Sequence, residues 1–265
     1  MMRHDCDMTL PHSSQLSLFE TAAAAPVRRK EHNPAISPQA RQPSYIAGHR
    51  KRLRNRFLMG GADPLPDYEL LELLLFRCLK NGDVKPLAHR LIDRFGDFNR
   101  VLSAPFERLT EVEGIGPEIA LDLKLIEATT HRMSQGKVLK RPVISSWAAL
   151  LDHCRVTMSH RETEQFRILF LDRKNVLIAD EVQAKGTVDH VPGYPREVIK
   201  RALDLNATAL ILVHNHPSGD PTPSNADIAM TEDIVRACEA VGVQVHDHLI
   251  IGKSKEVSFK SEGYL

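Results

Sequence analysis

The sequence lacks the features that would place it in a membrane or among disulfide-stabilised proteins. Its longest apolar runs, such as Ala209–Val213, are far shorter than the ~20 residues that a membrane-spanning helix needs. The four cysteines are scattered without a CxxC pair, which argues against a disulfide framework or a thiolate zinc site. The polar and charged N-terminus does not have the composition of a secretory signal. We therefore expect a soluble, cytoplasmic protein with no membrane partner.

A large excess of charge is also missing. Lys and Arg total 35 against 34 for Asp and Glu, which gives a formal net charge of +1. A whole-molecule field that attracts nucleic acid or anionic lipid is thereby excluded, and any such site must be local. Several catalytic motifs are absent as well, namely HExxH, GxxxxGK[ST] and GxSxG. The 265 residues, 42% hydrophobic and 26% charged, have the composition of one or two globular domains.

The chain divides into four segments of different character. Residues 1–44 are punctuated by prolines and show no apolar periodicity, which predicts a disordered tail. Residues 45–132 are rich in leucine at helical spacing and predict a small all-α domain. Residues 133–142 are predicted to be a linker. From 143 to 265, strand-like and helix-like segments alternate, which predicts an α/β (α+β) domain with a mixed sheet and flanking helices.

Individual elements can be predicted from the same periodicities. In the C-terminal segment, the predicted strands are 166–171, 176–182, 207–213 and 243–251, and the predicted helices are 195–205 and 224–241. In the helical segment, helices are predicted at 68–79, 85–95 and 117–131. Asp67 is expected to be the N-cap of the first of these, because its side chain can accept a hydrogen bond from a free backbone amide.

Chemistry is most strongly indicated where a buried strand ends in His214 and His216. Alternate residues of a strand face the same way with Cα atoms ~6.6 Å apart, so both imidazoles can converge on one ion. Residues 217–223 contain three prolines and predict a rigid turn. Ser224 then begins a helix, and Asp227 lies in its first turn, where the helix dipole favours a carboxylate.

Two imidazoles and one carboxylate suit zinc, with a fourth position left for water. An open position distinguishes a catalytic zinc site from a structural one, and zinc lowers the pKa of a water in that position to ~7. A simpler interpretation exists for each part, since paired histidines often only pack and Ser-x-x-Asp before a helix is a capping box. Neither explains why the two features occur together, so a metal site is the favoured hypothesis.

The pattern resembles the JAMM (MPN+) metalloprotease motif, in the form His214-x-His216, a turn beginning with Pro217, and Ser224-x-x-Asp227. The flanks are more closely similar to the RadC family. The segments that carry this similarity are Tyr194-Pro-Arg-Glu-Val, His214-Asn-His-Pro-Ser-Gly-Asp-Pro-x-Pro-Ser, Asp247-His-Leu-Ile, Gly48-His-Arg-x-Arg-Leu-Arg-x-Arg-Phe and Asp67-Tyr-Glu-Leu-Leu-Glu-Leu-Leu-Leu-Phe. The resemblance extends over roughly residues 45–265.

The resemblance implies an MPN (JAB/JAMM-like) domain at 143–265 that acts as a zinc-dependent metallopeptidase or isopeptidase. It implies that His214, His216 and Asp227 bind one Zn²⁺ and that a peptide or protein is the substrate. It also implies that Ser224 polarises or stabilises the attacked carbonyl oxygen.

The family also uses an upstream glutamate as general acid/base. Glu164 fits this role best, because it precedes the first predicted strand of the sheet by two residues. A water that attacks an amide needs a carboxylate within hydrogen-bond reach, which later protonates the leaving amine. The alternatives from the sequence are Glu162, Glu181 and Glu197.

A further pair, His246 and His248, has the same i,i+2 spacing but lacks a following turn with a capping carboxylate. A supporting or folding role for it is favoured over a second metal site.

Residues 109–118 resemble a helix-hairpin-helix, whose amides contact phosphates without reading bases in DNA-binding versions. Gly114 and Gly116 would allow a tight turn with φ > 0. The basic stretch 50–56 adds local positive charge, so non-specific DNA is a candidate partner. The carboxylates around the hairpin oppose phosphate binding, and a turn that only packs two helices is an equal alternative.

The competing functional hypothesis is therefore a DNA-associated repair or interaction protein whose metal site is structural or vestigial.

Overall fold

The computed structural model describes residues 48–185 and 194–265. The tail predicted at 1–44 lies outside these residues. Residues Pro43–Leu265 belong to one compact unit, and the division into domains at 132 and 143 stays a prediction. Among the helices of the described ranges, none has the length and apolar character needed to cross a bilayer.

Helices precede the sheet in the chain, as the composition predicts. The helices of the N-terminal part are α1 (His49–Gly60), α2 (Asp67–Cys78), α3 (Lys85–Phe95), α4 (Phe98–Ser103), α5 (Phe106–Thr110) and α6 (Pro117–Val138). The C-terminal part contains a 3₁₀ turn (Ile144–Ser146), α7 (Trp147–Met158), β1 (Gln165–Leu171), β2 (Leu177–Lys185), α8 (Pro195–Asp204), β3 (Ala209–Asn215), α9 (Asn225–Glu239), β4 (Gln244–Ile251), β5 (Glu256–Ser258) and α10 (Phe259–Glu262).

The predicted fold class is confirmed. The leucines at helical spacing form the core of the N-terminal part, where Leu71, Leu75, Leu91 and Leu109 are completely buried. The C-terminal part is a mixed five-stranded sheet in the order β2-β1-β3-β4-β5. β3 pairs with β4 in parallel, and the other neighbouring pairs are antiparallel.

Helices cover both faces of this sheet. α7 packs on one face through Leu150 and Met158, whereas α8 and α9 pack on the other through Val198 and Ile234. All residues of β3 are consequently buried, which explains why this strand is a nearly continuous apolar run rather than an alternating one. The parallel β3–β4 pair is connected through α9, so the end of β3 and the start of α9 lie at the same edge of the sheet.

Two local predictions in the helical part are wrong. Asp67 is the first residue of α2 and not its N-cap, which is Pro66; its carboxylate instead accepts a hydrogen bond of 2.9 Å from the backbone amide of Phe98. Residues 133–138, predicted as part of a linker, are the last residues of α6. The helix continues because Val138 is buried in the core beneath the sheet, and that burial outweighs the ~1 kcal/mol that a helical glycine costs.

Candidate metal centre

The histidines at the end of β3 and the carboxylate at the start of α9 face one another. The Nε2 atoms of His214 and His216 are 3.0 Å apart. Asp227 Oδ1 lies 3.3 Å from Nε2 of His214, and Asp227 Oδ2 lies 3.6 Å from Nε2 of His216. The structure therefore brings the three predicted ligands together at one point, although they come from two different elements.

Glu164 lies beside the same point. Its Oε1 atom is 3.9 Å from His216 Nε2, and its side chain is only 12% exposed. One carboxylate oxygen of Glu164 and one ring nitrogen from each of His214 and His216 all lie within 4.8 Å of one another.

The alternative glutamates have partners elsewhere. Glu181 forms a two-pronged ion pair with Arg201, at 2.6 and 2.7 Å. Glu162 lies 3.7 Å from Arg108, and Glu197 lies 3.1 Å from Arg196. Among the glutamates considered from the sequence, Glu164 is thus the one that the structure places at the candidate metal centre.

The turn after β3 holds His216 in a defined orientation. Its Nδ1 atom is 2.7 Å from the carbonyl oxygen of Asp220, and because a carbonyl only accepts, Nδ1 carries the proton. Gly219 makes this turn possible, since its φ of 94° is left-handed and a Cβ there would lie 2.6 Å from the side chain of Lys253. With its proton on Nδ1, the neutral imidazole of His216 presents a bare Nε2 toward His214 and Asp227.

Electrostatics prepare the three groups as ligands. Burial lowers the pKa of His214 to about 4, so this imidazole is neutral near pH 7. Burial acts to raise the pKa of Asp227. In acid, where both imidazoles are protonated, a hydrogen bond from His216, the charge of His214 and hydrogen bonds from Ser224 outweigh burial and hold the pKa of Asp227 well below its usual range. In its protonated form His216 donates a hydrogen bond from Nε2 to Asp227, and this bond raises the pKa of His216. Loss of that proton leaves Nε2 bare. A neutral imidazole, an ionised carboxylate and a bare Nε2 are what a divalent zinc ion binds, so the residues fit the metal.

The buried imidazole of His214 predicts an acid-sensitive zinc-free protein. Above pH 6.5 the group is neutral in both states; as the pH falls from 6.5 toward about 4, the unfolded chain binds the proton first. The free energy of unfolding should then fall by about 1.4 kcal/mol per pH unit for this group, and level off below the folded pKa. His216 has a raised pKa, so it stabilises the folded chain as the pH falls toward 6.5 and contributes no slope below that value.

Urea unfolding of the chelator-treated protein at pH 7 and pH 5 measures this loss. His214→Gln removes the titrating group and should give a flatter pH dependence. Equal slopes for the two proteins would contradict the assignment of the effect to His214.

Ser224 and Asp227 form a capping box at the start of α9. The backbone amide of Asp227 donates to Ser224 Oγ at 3.2 Å, and the amide of Ser224 donates to Asp227 Oδ2 at 2.8 Å. The Ser224 hydroxyl donates to the same carboxylate oxygen at 2.6 Å. The capping and ligand interpretations of this pair are therefore compatible, because the cap fixes the carboxylate that faces the histidines.

Asn215, between the two histidines, has a role that the sequence did not indicate. Its side chain accepts a hydrogen bond of 2.9 Å from the amide of Gln165 and donates one of 3.2 Å to the carbonyl of Thr163. The β1–β3 ladder ends at the pair Phe166↔His214, so Asn215 bridges the two strands beyond their last paired residues. It thereby holds the backbone on both sides of Glu164.

The second histidine pair does not share one face of its strand. β4 has a bulge opposite Leu210 and Ile211, at His246, and a bulge breaks the alternation of side chains. His246 consequently hydrogen-bonds Asn175 at 2.7 Å, whereas His248 contacts His214 at 2.8 Å. Among the described residues, the i,i+2 spacing therefore does not bring His246 and His248 together, and His248 lies directly behind the candidate metal centre.

Much of the basic stretch 50–56 is engaged within the protein. Arg50 donates to the carbonyl of Leu79 at 2.7 Å, and Arg56 forms an ion pair of 2.8 Å with Glu69. These two arginines connect α1 with α2. Part of the positive charge in this stretch therefore stabilises the fold.

The predicted hairpin turn is present between α5 and α6, with one difference. Gly114 has the expected positive φ of 94°, but Gly116 has a φ of −82° and is the N-cap of α6. Glu111 forms ion pairs with Arg94 and Arg108. The charge of Glu111 is thus balanced locally by these two arginines.

Comparison with known proteins agrees with the motifs. Residues 144–264 match the model of the RadC-like JAB domain, and residues 47–121 match that of the UPF0758 N-terminal domain. A UPF0758 protein of Ruegeria pomeroyi is 70% identical over 223 residues, which cover 84% of this chain and 100% of the relative. A UPF0758 protein of Rhodobacter capsulatus is 66% identical over 213 residues, which cover 80% of this chain and 100% of the relative. The resemblance predicted from the sequence is therefore confirmed, and the chain belongs to the RadC family of UPF0758 proteins.

Proposed function

We propose that this protein is a zinc-dependent hydrolase of amide bonds, peptide or isopeptide, in which His214, His216 and Asp227 bind the metal. The supporting observation is that two imidazole Nε2 atoms and one carboxylate from separate elements converge within 3.0–3.6 Å. Two neutral Nε2 atoms 3.0 Å apart repel one another unless a proton or a cation lies nearby. A cation stabilises this arrangement, and three protein ligands leave one position open.

Zinc at this site would supply a Lewis acid that makes a water molecule acidic enough to attack an amide near neutral pH. The chain's own residues then manage the protons and the geometry. Glu164 accepts the proton of the attacking water and later donates it to the leaving amine, because its carboxylate is next to His216 and is largely shielded from solvent. The low exposure of Glu164 and His214 strengthens these interactions by limiting solvent screening.

Ser224 has a narrower role in this proposal. Its hydroxyl donates to Asp227 in the structure, so it would have to turn away from that carboxylate to donate to a substrate carbonyl oxygen. The amide of Ser224 would still cap Asp227 during that rotation. We therefore assign Ser224 first to positioning Asp227 and second to stabilising the carbonyl oxygen.

The test combines metal analysis with a search for cleavage. The purified chain should contain about one zinc, as one three-ligand site implies, and should cleave some members of a peptide and isopeptide mixture analysed by mass spectrometry. Chelation should stop the cleavage, and added zinc should restore it. A protein that binds no zinc, or whose cleavage is insensitive to chelation, would contradict the proposal.

The substitution Asn215→Leu should disturb the position of Glu164 without affecting metal binding. Leucine has a similar shape but leaves the amide of Gln165 and the carbonyl of Thr163 without their partner, which should cost about 1–3 kcal/mol in the free energy of unfolding. Because the histidine nitrogens do not depend on these bonds, zinc content should be unchanged while hydrolysis falls. Urea unfolding, metal analysis and the cleavage assay measure these effects.

Asn225→Leu is the matched control, because Asn225 is an exposed asparagine at the start of α9. It should leave stability and hydrolysis close to wild type. Wild-type hydrolysis in Asn215→Leu would show that this side chain does not position Glu164.

Binding of non-specific DNA through 50–56 and 109–118 remains a separate hypothesis. Because Arg50 and Arg56 have intramolecular partners, the sharper variant is Lys51→Gln, whose side chain is exposed. If phosphates are bound there, affinity for any duplex should fall steeply with salt and less steeply in the variant.

A further inference from the structure

A chain of hydrogen bonds closes behind the candidate metal centre through two buried residues. The hydroxyl of Thr231 lies 2.6 Å from the carbonyl oxygen of Asp227 and 2.6 Å from Nδ1 of His248. His248 Nε2 lies 2.8 Å from Nδ1 of His214. The relative exposures of Thr231, His248 and His214 are 1%, 0% and 3%, so these groups hydrogen-bond one another instead of bulk water.

The partners determine where each proton lies. The carbonyl of Asp227 can only accept, so Thr231 uses its single proton there and its oxygen accepts from Nδ1–H of His248. A neutral His248 with its proton on Nδ1 has a bare Nε2, which accepts from Nδ1–H of His214. The proton of His214 is therefore on Nδ1, the nitrogen that faces His248. The lone pair on Nε2 faces Asp227 Oδ1 at 3.3 Å.

The opposite set of donor and acceptor roles along Thr231, His248 and His214 fits these distances less well. If Thr231 donated to His248, its oxygen and the carbonyl oxygen of Asp227 would be 2.6 Å apart without a proton between them. His214 would then carry its proton on Nε2, at the position where a metal has to bind.

We propose that Thr231 and His248 are positioning residues that fix the tautomer of His214, so that its Nε2 is free to bind the metal before the metal arrives. The inference rests on the proposed function for the identity of the metal. It extends that function because Asp227 takes part twice, with its carboxylate in the metal centre and its carbonyl oxygen in the chain of hydrogen bonds. The first turn of α9 and the ends of β3 and β4 are thereby linked in one network around the ligand set.

The proton positions can be measured without any substrate. Imidazole ¹⁵N NMR of the full chain after chelator treatment reports which ring nitrogen of each histidine is protonated. We expect His214 and His248 both to be protonated on Nδ1 in the wild type. Thr231→Val, which keeps the shape but removes the hydroxyl, should produce a mixture of tautomers, whereas Thr231→Ser should keep the wild-type pattern.

Zinc affinity is the second readout. In competition with a chromogenic chelator, Thr231→Val should bind zinc ~10–100-fold more weakly, the range found for lost outer partners of a ligating histidine. Thr231→Ser should bind close to wild type, which separates the hydroxyl from side-chain packing.

Two results would overturn the inference: a wild-type His214 protonated on Nε2 in the zinc-free protein, or equal zinc affinity for the valine and serine variants. If Thr231→Val fails to fold, the ¹⁵N spectrum of the wild type still shows which nitrogen of His214 is protonated and so tests the inference. If the wild type binds no zinc, the proposed function fails, while the spectrum continues to test the tautomer of His214.

Discussion

Asp227→Ala is expected to remove zinc from the purified protein while the chain remains folded. One of three ligands is lost, so the affinity should fall by more than the ~10–100-fold caused by losing an outer partner. The capping box is lost too, at a cost of about 1 kcal/mol, which is small against the several kcal/mol of an ordinary domain. His214→Ala should have the same effect on zinc. Metal analysis and circular dichroism measure the two quantities.

His246→Ala is the matched control, because His246 is a histidine of the adjacent strand that hydrogen-bonds Asn175 and not a ligand. It should retain zinc. Full zinc retention in both Asp227→Ala and His214→Ala would contradict the ligand assignment and, with it, the hydrolase proposal.

The Glu164→Gln variant is expected to retain bound zinc but to lose most of its hydrolytic activity. Glutamine has nearly the same shape but cannot accept the proton of an attacking water, so hydrolysis should fall by ~10²–10⁴-fold, the contribution typical of general acid–base catalysis. Zinc content should stay at the wild-type level, since the other three groups converge without Glu164. The rate of cleavage and the metal content are the measurements.

Glu162→Gln provides the control, because Glu162 is two residues away and pairs with Arg108. An unchanged rate in Glu164→Gln would assign the base to another residue. A slow Glu164→Gln protein that still holds zinc is also suited to trap substrates from a cell extract, whose identification by mass spectrometry would define the substrate class.

The convergence of His214, His216 and Asp227 could be predicted from the sequence because its determinants are local. His214 and His216 follow from strand periodicity, and Asp227 follows from the capping pattern at the next helix. The residues around them are not local: Thr231 and His248 meet His214 only because β4 pairs with β3 and α9 packs across them. Pairing of strands at this separation is a tertiary effect that a single sequence does not display.

The missed elements have a similar explanation. α7 (Trp147–Met158) is not among the helices predicted from the sequence, although a serine, Ser146, stands at its N-cap position. Gly136 and the nearby basic residues suggest a linker, but α6 extends to Val138 because that residue is buried beneath the sheet. The bulge at His246 likewise depends on how two strands align, which is why the pair His246 and His248 gave a misleading spacing.

In the capping box at the start of α9, the carboxylate of Asp227 has two roles. Asp227 both initiates a helix and faces the imidazoles, and the first role does not depend on any ion. Under the proposed function, the zinc-free protein should therefore keep its fold and bind the cation again without refolding.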